Sequence, residues 1–437
     1  MYRLHFTVLI SSLLLLFTSG LAHGADRLPN LVVIMADDLG MEGVGAYGGQ
    51  SYATPHLDAL AAGGIRFTHC FANPVCSPTR AQMLTGRYPF RNGIPRIIYL
   101  PDEHREFLDP QKETSFATLL KQNGYATAMA GKWQLSFLDE RDLLAEHGFD
   151  ESQMWQIFHN GDKTSRYANP TMRQNGKVLQ QELHGGYGPA ANVDFLIDFM
   201  RRHQEQPFLV YYTALLPHYP WEPTPNSDEP LKPAEGVGDK RYMKDMVEYL
   251  DSQVGQIVAA LDELNLRDNT LIVFTGDNGC DQRIVSSWTD GTVTRQVHGG
   301  KGTMTDRGTR VPLIANWPGT IEPGMVNDDL IDLSDLMPTL LELGQAAKPA
   351  NYMDGRSFVP QLLGQEGNKR TWIHAQYGNQ RLVRNRDYIL LNGGKFRPVV
   401  EFGLPPAKSI SKDLSPEQLE AKRELESAFA GLKNSGN

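Results

Sequence analysis

Cys76 stands in the most chemically distinctive segment of this 437-residue chain. The segment reads PVCSPTR over residues 74–80, and MLTG follows at residues 83–86. A lone Cys-x-Pro is typical of a buried or disulfide-forming cysteine in a turn. Here Arg80 comes four residues after Cys76, about one helical turn, so its fixed charge can reach back to the same place. The segment predicts a reactive position at Cys76 with Arg80 as its cationic neighbour.

Two pairs of oxygen-bearing side chains each follow an apolar run. Asp37-Asp38 comes after LVVIMA (residues 31–36), and Asp277-Asn278 comes after LIVFT (residues 271–275). Each pair alone would also suit a turn or a helix cap. Buried strands of α/β sheets place functional groups at their carboxyl ends, however. Carboxylate and amide oxygens suit Ca²⁺ or Mg²⁺ better than zinc.

Three further positions offer positive charge or a proton. Lys132 lies in Gly-Lys-Trp after a strand candidate at residues 125–130, and His218 follows a strand candidate at residues 208–215. Lys301 lies in Gly-Lys-Gly-Thr. Most lysines are solvated and many histidines are structural, so these residues gain weight only as a group.

The elements between these motifs alternate. Apolar runs of strand length are followed by segments of helical spacing, of which residues 243–264 are the longest. This alternation predicts an α/β sandwich in which four strand ends meet at one rim. After about residue 364 the pattern changes to short strands with Gly-rich turns, expected to be antiparallel, and a polar terminal helix near residues 415–432. We therefore expect a main domain over residues 25–364 and a small C-terminal subdomain over residues 365–437.

The N-terminus reads as a signal peptide over residues 1–24. Arg3 is followed by an apolar stretch at residues 6–17 and by Ala22-His23-Gly24, a suitable cleavage site. An uncleaved anchor is the alternative, but residues 18–20 break the apolar run. No later stretch is long enough to cross a bilayer, so no stable membrane insertion is expected. This pattern predicts export to a bacterial periplasm or the medium.

Composition and charge limit the kinds of ligand that the protein is expected to bind. The chain is 41% hydrophobic and 21% charged, with a net charge of −9, which does not favour nucleic acid binding. An anionic substrate would need a local cluster of cations. Cys70 and Cys280 could form a disulfide, and the odd total of three cysteines leaves at least one thiol unpaired.

The Cys76 segment resembles the signature of formylglycine-dependent sulfatases: Cys, any residue, Pro, a small residue, Arg, then apolar residues and Thr-Gly. The resemblance spans about residues 28–365, with the motifs in the expected order. It implies an alkaline phosphatase-like α/β/α sandwich with a mixed central sheet. It also implies hydrolysis of a sulfate ester, after a maturation enzyme converts Cys76 to 3-oxoalanine (formylglycine).

The modification has a physical logic. Sulfate bound to a thiol has no easy route of release. An aldehyde hydrate, in contrast, carries two hydroxyls on one carbon. One hydroxyl attacks sulfur, and deprotonation of the other expels sulfate and restores the aldehyde. By the resemblance, Lys132 and Lys301 bind sulfate oxygens, and His218 helps to protonate the leaving alcohol. The charge of Arg80 is expected to hold the hydrate oxygen and the metal-site carboxylates in place. The implied ligands of the Ca²⁺ or Mg²⁺ ion are Asp37, Asp38, Asp277, Asn278 and an oxygen of the modified Cys76.

Gln134 is the most important departure from the sulfatase pattern. The family usually has a His two residues after the Gly-Lys lysine, and that His is commonly assigned to deprotonate the second hydroxyl. An amide cannot accept that proton at ordinary pH. Either another group serves, or elimination is slow, or Gln134 only positions the hydrate. Thr79 in place of Ser and Asp306-Arg307-Gly308 in place of Glu-Gly-Gly are milder differences.

Two other functions remain open at this point. One is a phosphonate or phosphate ester hydrolase of the same superfamily, and the other is a sulfated-glycan binding protein without turnover. Release of sulfate would distinguish a sulfatase from both of these alternatives. Exported sulfatases often act on sulfated polysaccharides, so a sulfated carbohydrate is the expected substrate. Candidates for the walls of the cleft are Trp155, His159, His184 and Trp221.

Overall fold

The computed structural model describes residues 27–98, 107–138, 142–179, 185–234 and 236–434. The predicted signal peptide, residues 1–24, lies outside these ranges. Within them, strands and helices alternate along most of the chain. The strands are β1 (Asn30–Ala36), β2 (Ile65–Phe71), β3 (Ala126–Gly131), β4 (Glu151–Trp155), β5 (Phe158–His159), β6 (Asp162–Lys163), β7 (Met172–Gln174), β8 (Lys177–Val178), β9 (Phe208–Thr213), β10 (Thr270–Gly276), β11 (Val285–Thr289), β12 (Thr294–His298), β13 (Arg310–Asn316), β14 (Met325–Asp332), β15 (Ile373–Tyr377), β16 (Gln380–Arg384), β17 (Tyr388–Leu391) and β18 (Phe396–Pro398).

The helices lie on both sides of the main sheet and at the C-terminus. They are α1 (Pro55–Ala62), α2 (Cys76–Thr85), α3 (Pro89–Asn92), α4 (Phe116–Gln122), α5 (Leu143–Glu146), α6 (Gly188–Arg202), α7 (Met243–Glu263), α8 (Asp306–Thr309), α9 (Leu336–Leu343), α10 (Val359–Leu362) and α11 (Pro416–Asn434). Short 3₁₀ turns, such as Met41–Gly43 and Gly45–Tyr47, complete the connections. No helix in the described ranges is both long enough and apolar enough to cross a bilayer.

The main sheet is mixed and has ten strands in the order β14-β2-β13-β10-β1-β9-β3-β4-β7-β8. The central strands β10, β1, β9, β3 and β4 run parallel to one another, and β13 and β7 turn antiparallel at either side. Consecutive side chains of a strand point to opposite faces. Val32 and Ile34 of β1 accordingly pack in one core with α6 and α7, whereas Leu31, Val33 and Met35 pack in the other with α4 and α9.

These two cores confirm the predicted α/β/α sandwich. The wholly apolar runs predicted strands correctly because a central parallel strand is buried on both faces. The run at residues 31–36 is found as β1, and the run at residues 271–275 is found as β10. The predicted helix at residues 243–264 is α7, whose apolar residues face the sheet.

The C-terminal region forms the predicted antiparallel strands and terminal helix. Strands β15 to β18 form a separate four-stranded sheet, which α11 covers. One face of this sheet packs on the main domain through Phe71 and Leu330. The other face packs Phe396 and Leu390 against Leu425 of α11. The apolar residues of α11, a helix that is mostly polar, thus pack against the four-stranded sheet.

Tyr47 compensates for an irregularity of the main sheet at Pro312. Pro312 has no N–H to donate, and the pairing of β13 with β2 shifts register between Val311 and Leu313. The buried Tyr47 hydroxyl accepts the Leu313 N–H at 2.9 Å and lies 2.7 Å from the Leu313 carbonyl and 3.1 Å from that of Phe67. One hydroxyl therefore satisfies backbone groups that the ladder leaves unpaired.

We expect Tyr47→Phe to lower the free energy of unfolding by about 1–3 kcal/mol, the cost of leaving buried backbone groups unsatisfied. Urea unfolding followed by circular dichroism measures it. The control Tyr377→Phe, at a half-buried position of β15, should stay within about 0.5 kcal/mol of wild type. Equal midpoints for Tyr47→Phe and wild type would mean that this hydroxyl does not stabilise the bulge.

Candidate active site

The carboxyl ends of four adjacent parallel strands form the rim on which the site is built. Backbone bonds connect the segments that leave these strands. Asp277 N–H donates to the Ala36 carbonyl at 3.0 Å, and Lys132 N–H donates to the Thr213 carbonyl at 2.8 Å. Gly131 allows the backbones at Lys132 and Thr213 to come this close. Its φ is +114°, and a Cβ at this position would lie 1.8 Å from the Thr213 carbonyl oxygen. Side chains from β1, β3, β9 and β10 therefore converge.

Asp37 lies at the bottom of this convergence and is fully buried. Lys132 Nζ lies 2.8 Å from each of its carboxylate oxygens, and Arg80 Nη2 lies 3.5 Å away. Burial by itself raises the pKa of Asp37, but the nearby cations, Lys132 foremost, outweigh burial and hold that pKa well below its usual value. Asp37 is thus an anion clamped by the lysine of the Gly-Lys-Trp motif.

Arg80 connects the helix that starts at Cys76 to the end of β10. Its Nε and Nη2 donate to Asp277 Oδ2 at 3.1 and 2.7 Å, and its Nη1 donates to the Lys132 carbonyl at 3.0 Å. Burial raises the pKa of Asp277 to about 6, although the Arg80 charge opposes the shift. The one-turn spacing predicted that Arg80 could reach back, and the structure shows that it reaches the carboxylate of Asp277.

Asp38 occupies the next position along the rim in a conformation that few non-glycine residues adopt. Its φ is +68°, and its N–H donates to Asp277 Oδ1 at 3.1 Å. Lys301 Nζ lies 2.6 and 2.7 Å from its carboxylate oxygens, and Asn278 Nδ2 donates to Oδ1 at 2.8 Å. A left-handed backbone at a functional residue is typical of strain held by the surrounding structure. This turn aims the Asp38 carboxylate into the cluster.

The donor set fits a hard divalent cation. Burial raises the pKa of Asp38 against the charge of Lys301, so this lysine only partly offsets the burial of the Asp38 carboxylate. Asn278 Oδ1 is buried and accepts no hydrogen bond from any described residue. A cation held by Asp37, Asp38, Asp277 and Asn278 would use that oxygen and favour the ionised carboxylates. Single oxygens of Asp37 and Asp38 also lie within 4.8 Å of a His218 nitrogen.

His218 faces this cluster from the segment after β9. Its Nε2 lies 3.6 Å from Asp38 Oδ2, and its Nδ1 lies 3.0 Å from Arg166 Nη1 and 2.5 Å from the Tyr219 carbonyl. The ring is thus held from its Nδ1 side, and Nε2 points into the site. Burial, together with the charges of Lys301 and Arg166, lowers the pKa of His218 well below its usual value.

Cys76 is the first residue of α2 and is 2% exposed. Its thiol donates to Gln134 Oε1 at 3.1 Å, and Ser77 Oγ donates to the Gln134 carbonyl at 2.9 Å. Gln134 has a φ of +52°, so its backbone too is held in the left-handed region. The residue in the place of the expected His therefore contacts position 76 directly.

A cavity of about 410 Å³ opens over these groups. Cys76, Lys132, Gln134, His218 and Lys301 all line it, which brings the predicted reactive cysteine, both lysines and the histidine to one space. Of the aromatic and histidine candidates for the walls, Trp155 lines the cavity, Trp221 packs in the core, His159 lies on β5, and His184 lies outside the described residues.

Arg166, Lys163 and Arg283 also line this cavity, and sequence reasoning did not single them out. Arg166 is buried, with its guanidinium 4.1 Å from the Trp155 ring centroid and 3.8 Å from an Asp37 oxygen. It comes from an irregular segment with neither periodicity nor a recognisable motif, so the sequence carried no signal for it.

The three cysteines are free thiols, so Cys70 and Cys280 do not pair here. Cys70 packs in the core on one face of the sheet, whereas Cys280 packs in the core on the other. Burial raises the pKa of both thiols well above the usual value. Neither is suited to be a nucleophile, which leaves Cys76 as the cysteine placed for chemistry.

Comparison with known proteins identifies the family of this chain. The sequence model of the sulfatase family matches residues 29–346. Arylsulfatase A of Homo sapiens is 36% identical over 375 residues, which cover 81% of this chain and 71% of that protein. The N-acetylgalactosamine-6-sulfatase of Canis lupus familiaris is 34% identical over 373 residues, covering 80% and 69%. The crystal structure of Ps i-CgsB in complex with k-i-k-neocarrahexaose matches with a TM-score of 0.76 and 25% identity, covering 92% of this chain and 93% of that one.

The chain belongs to the sulfatase family, within the alkaline phosphatase-like superfamily. It is a sulfuric ester hydrolase of the arylsulfatase-like type. The extent of the family match agrees with the predicted resemblance over residues 28–365.

Glu42 is a buried carboxyl beneath the loop that carries Asp37 and Asp38. It is 1% exposed, and neither carboxyl oxygen has a hydrogen-bond partner among the described residues. A Cβ on Gly40 would lie 2.2 Å from Glu42 Oε2, so this loop closes tightly over the carboxyl. Burial raises the pKa of Glu42 to about 7. The native state therefore binds a proton that the unfolded chain has released.

This shift makes stability fall as pH rises. The contribution of Glu42 is complete below the unfolded pKa of 4.5 and is lost as the pH rises to the folded value of about 7. We expect Glu42→Gln to stabilise the protein by up to about 3 kcal/mol at pH 8 and by much less at pH 5. Thermal unfolding at both pH values measures this gap, the difference in stability between Glu42→Gln and wild type. The control Glu263→Gln, at an exposed position of α7, should show none, and a pH-independent gap for Glu42→Gln would contradict the assignment.

Proposed function

We propose that this sulfatase hydrolyses a sulfate ester of a carbohydrate through a formylglycine formed from Cys76 and one divalent cation, Ca²⁺ or alternatively Mg²⁺. The observation that carries the proposal is the shared cavity. Cys76, two lysines and His218 line one space directly above a buried cluster of three carboxylates and an amide oxygen. A hydrated aldehyde at position 76 supplies a hydroxyl to attack sulfur and a second hydroxyl whose deprotonation releases sulfate.

The chain's own residues bind and orient the ester. Lys132 and Lys301 bring two ammonium groups to the cavity floor, where they attract the sulfate oxygens. Arg80 holds Asp277 and the Lys132 backbone, so it fixes the relation between α2 and the carboxylates. Asp37, Asp38, Asp277 and Asn278 would hold the cation, which would supply Lewis-acid activation of the hydroxyl at position 76 and of the sulfate.

His218 is placed to protonate the leaving alcohol. Its Nε2 points into the site, while Arg166 and the Tyr219 carbonyl hold the Nδ1 side. Burial and surrounding cations disfavour the imidazolium in the free protein. A bound sulfate ester brings a negative charge that raises the pKa of His218 and favours the proton at Nε2.

Gln134 acts as a positioning residue in this proposal. Its side-chain oxygen accepts a hydrogen bond from position 76, which would orient a hydroxyl there. The amide cannot take the proton that sulfate release requires. That proton must pass to another group or to water.

The carbohydrate assignment rests on the named relatives and on the cavity. One relative is called an N-acetylgalactosamine-6-sulfatase, and Ps i-CgsB is named in complex with a neocarrahexaose. The cavity of about 410 Å³ has aromatic walls at Trp155, Phe158 and Tyr219, a lining that suits a sugar ring. Export to the periplasm or medium, with maturation of Cys76 by a formylglycine-generating enzyme, remains part of the proposal on the strength of residues 1–24 and 74–80.

We expect the tryptic peptide that contains Cys76 to carry the mass of formylglycine when the protein is co-expressed with the maturation enzyme. Cys76→Ala should lower kcat for 4-nitrophenyl sulfate by a factor on the order of 10⁴ or more, because it removes the nucleophile. Cys70→Ala, which removes a thiol in the core, should retain both the modification and the activity.

Unmodified cysteine in a fully active preparation would overturn the formylglycine mechanism. Parallel assays with 4-nitrophenyl phosphate and a phenylphosphonate ester separate sulfate chemistry from the phosphonate and phosphate alternatives. Binding of sulfated glycans without sulfate release would instead support a binding protein.

We expect chelator-treated protein to gain thermal stability when Ca²⁺ is added, because the cation binds the native carboxylate cluster. At a free concentration one hundred times the dissociation constant, the gain is about 2.7 kcal/mol. Asp38→Asn should lose most of this gain. Asp281→Asn, which changes another carboxylate of the cavity wall, should keep it. Equal Ca²⁺ responses in both variants would place the ion elsewhere, and a parallel Mg²⁺ titration shows which cation fits better.

A further inference from the structure

We propose that Asp281 and Arg283 form a hydroxyl-binding subsite on the leaving-group side of the cavity, so that the preferred substrate is a sugar with a free hydroxyl beside the carbon that carries the sulfate. The subsite would bind an uncharged hydroxyl in preference to a second sulfate or a carboxylate. This inference rests on the proposed function because it takes His218 as the residue that faces the leaving alcohol. Asp281 and Arg283 line the cavity that Cys76 also lines.

Asp281 holds Arg283 in a bidentate ion pair at the cavity wall. Arg283 Nε donates to Asp281 Oδ1 at 2.8 Å, and Nη2 donates to Oδ2 at 2.6 Å. The backbone N–H of Arg283 also donates to Oδ1, at 2.9 Å. Parallel bonds of this kind fix the orientation of a guanidinium as well as its position. The pair is therefore a preformed surface, although the Arg283 side chain is 39% exposed.

The ion pair leaves both a donor and an acceptor for a ligand. Oδ1 of Asp281 accepts two hydrogen bonds from Arg283 and Oδ2 accepts one, and each carboxylate oxygen has about two lone pairs. One acceptor position therefore remains on Oδ2. Among the described residues, none accepts a hydrogen bond from Arg283 Nη1. Because a hydroxyl both donates and accepts, it can use Asp281 Oδ2 and Arg283 Nη1 together.

The charges of the pair largely cancel, which decides the kind of ligand. The Asp281 carboxylate lies within hydrogen-bond distance of the Arg283 guanidinium and offsets its charge. A second anionic group of the substrate would be repelled by Asp281 and would gain little from a guanidinium that is already paired. A hydroxyl carries no charge and meets no such repulsion. The pair therefore favours a hydroxyl over a sulfate or a carboxylate at this wall.

Aromatic contacts place Arg283 beside the residue that faces the leaving alcohol. Its guanidinium carbon lies 4.4 Å from the Tyr219 ring centroid and 4.9 Å from that of Trp221. The Tyr219 ring in turn stacks on His218, with 4.5 Å between the centroids. Contacts between a guanidinium and aromatic faces are attractive and help to hold Arg283 there. A sugar whose sulfated oxygen lies near His218 would thus bring its neighbouring hydroxyl towards Arg283.

Backbone hydrogen bonds fix the subsite relative to the sulfate-binding floor. The Lys301 N–H donates to the Cys280 carbonyl at 3.0 Å, and the Gly299 N–H donates to the Ile284 carbonyl at 3.0 Å. Gly299 permits this contact, because a Cβ there would lie 2.1 Å from the Asp281 carbonyl oxygen. The segment that carries the subsite and the loop that carries Lys301 are therefore joined. Their backbones set the separation between a bound sulfate and the subsite.

The test compares ligands that differ by one hydroxyl and does not require the natural sugar. The probes are cyclohexyl sulfate, the cis and trans isomers of 2-hydroxycyclohexyl sulfate and of 2-methoxycyclohexyl sulfate, and cyclohexane-1,2-diol disulfate. The methoxy probes keep the electron-withdrawing oxygen and remove the hydroxyl proton. Inhibition of 4-nitrophenyl sulfate hydrolysis measures the affinity of each probe for the matured, Ca²⁺-loaded enzyme, and calorimetry measures it without turnover.

We expect the preferred hydroxy isomer to bind about ten-fold tighter than cyclohexyl sulfate, equivalent to about 1.4 kcal/mol. A site built to hydrogen-bond a hydroxyl disfavours an analogue that lacks it. The methoxy probes and the disulfate should gain less than the hydroxy probe, because the first cannot donate to Asp281 and the second is repelled by it.

Variants of the pair decide whether these two residues cause the preference. Arg283→Met removes the donors and should bring the ratio between hydroxycyclohexyl and cyclohexyl sulfate close to one. Asp281→Asn leaves the Arg283 charge unpaired and should shift the preference from the hydroxy probe towards the disulfate. Arg202→Met is the matched control, because Arg202 of α6 forms a bidentate pair with Glu151 away from the cavity. It should keep the wild-type ratio.

Two results would overturn the subsite: equal affinity for cyclohexyl sulfate and both hydroxy isomers, or a hydroxyl preference that persists in Arg283→Met. A wild-type preference for the disulfate would also contradict it. Failure of the proposed function is a separate outcome. Sulfate release without an Arg283-dependent ratio refutes only the subsite. An Arg283-dependent ratio in calorimetry without sulfate release refutes the hydrolytic proposal and leaves the subsite in place.

Discussion

Burial of three carboxylates at adjoining strand ends is the constraint on which the rest of this structure depends. Asp37 and Asp277 are fully buried, and Asp38 is 1% exposed. Uncompensated buried charges are strongly destabilising, so each carboxylate needs a cation within contact distance. Separate segments supply these cations: Arg80 comes from α2, Lys132 follows β3, and Lys301 lies in a loop before α8. Two of the groups that offset burial, Lys132 and Lys301, therefore also line the cavity.

This compensation requires unusual backbone at several places. Asp38 and Gln134 have positive φ without being glycines, and Gly131 approaches the Thr213 carbonyl more closely than any Cβ would permit. Each conformation costs free energy and persists because surrounding contacts fix it. The parallel sheet supplies those contacts, since its central strands are held on both faces by packed helices. A rigid sandwich thus holds strained turns that direct polar groups into one space.

The sequence predicted the elements that follow simple physical rules. Apolar runs gave β1 and β10, and the meeting of parallel strand ends placed Asp37, Lys132 and Asp277 together. It could not predict Arg166 or Lys163, because Arg166 lies in irregular chain and Lys163 lies on the two-residue strand β6, which is too short for a periodic pattern. Contacts between distant irregular segments depend on the whole fold, which no local pattern encodes. The same limit left open the state of the two other cysteines, which the structure places in cores on opposite faces of the sheet.

Gln134 shows how one substitution changes what the rest of the site must do. A histidine at this position would exchange a proton near neutral pH, whereas an amide keeps one state at every ordinary pH. Gln134 can hold a group at position 76 in place through its side-chain oxygen. In the proposed mechanism, the proton of the release step must then leave by another route. Position 134 itself adds no titration, so in the proposed mechanism the pH dependence of turnover arises from other groups of the site, such as His218. The fixed geometry around Cys76 and the protonation chemistry are thereby assigned to different residues.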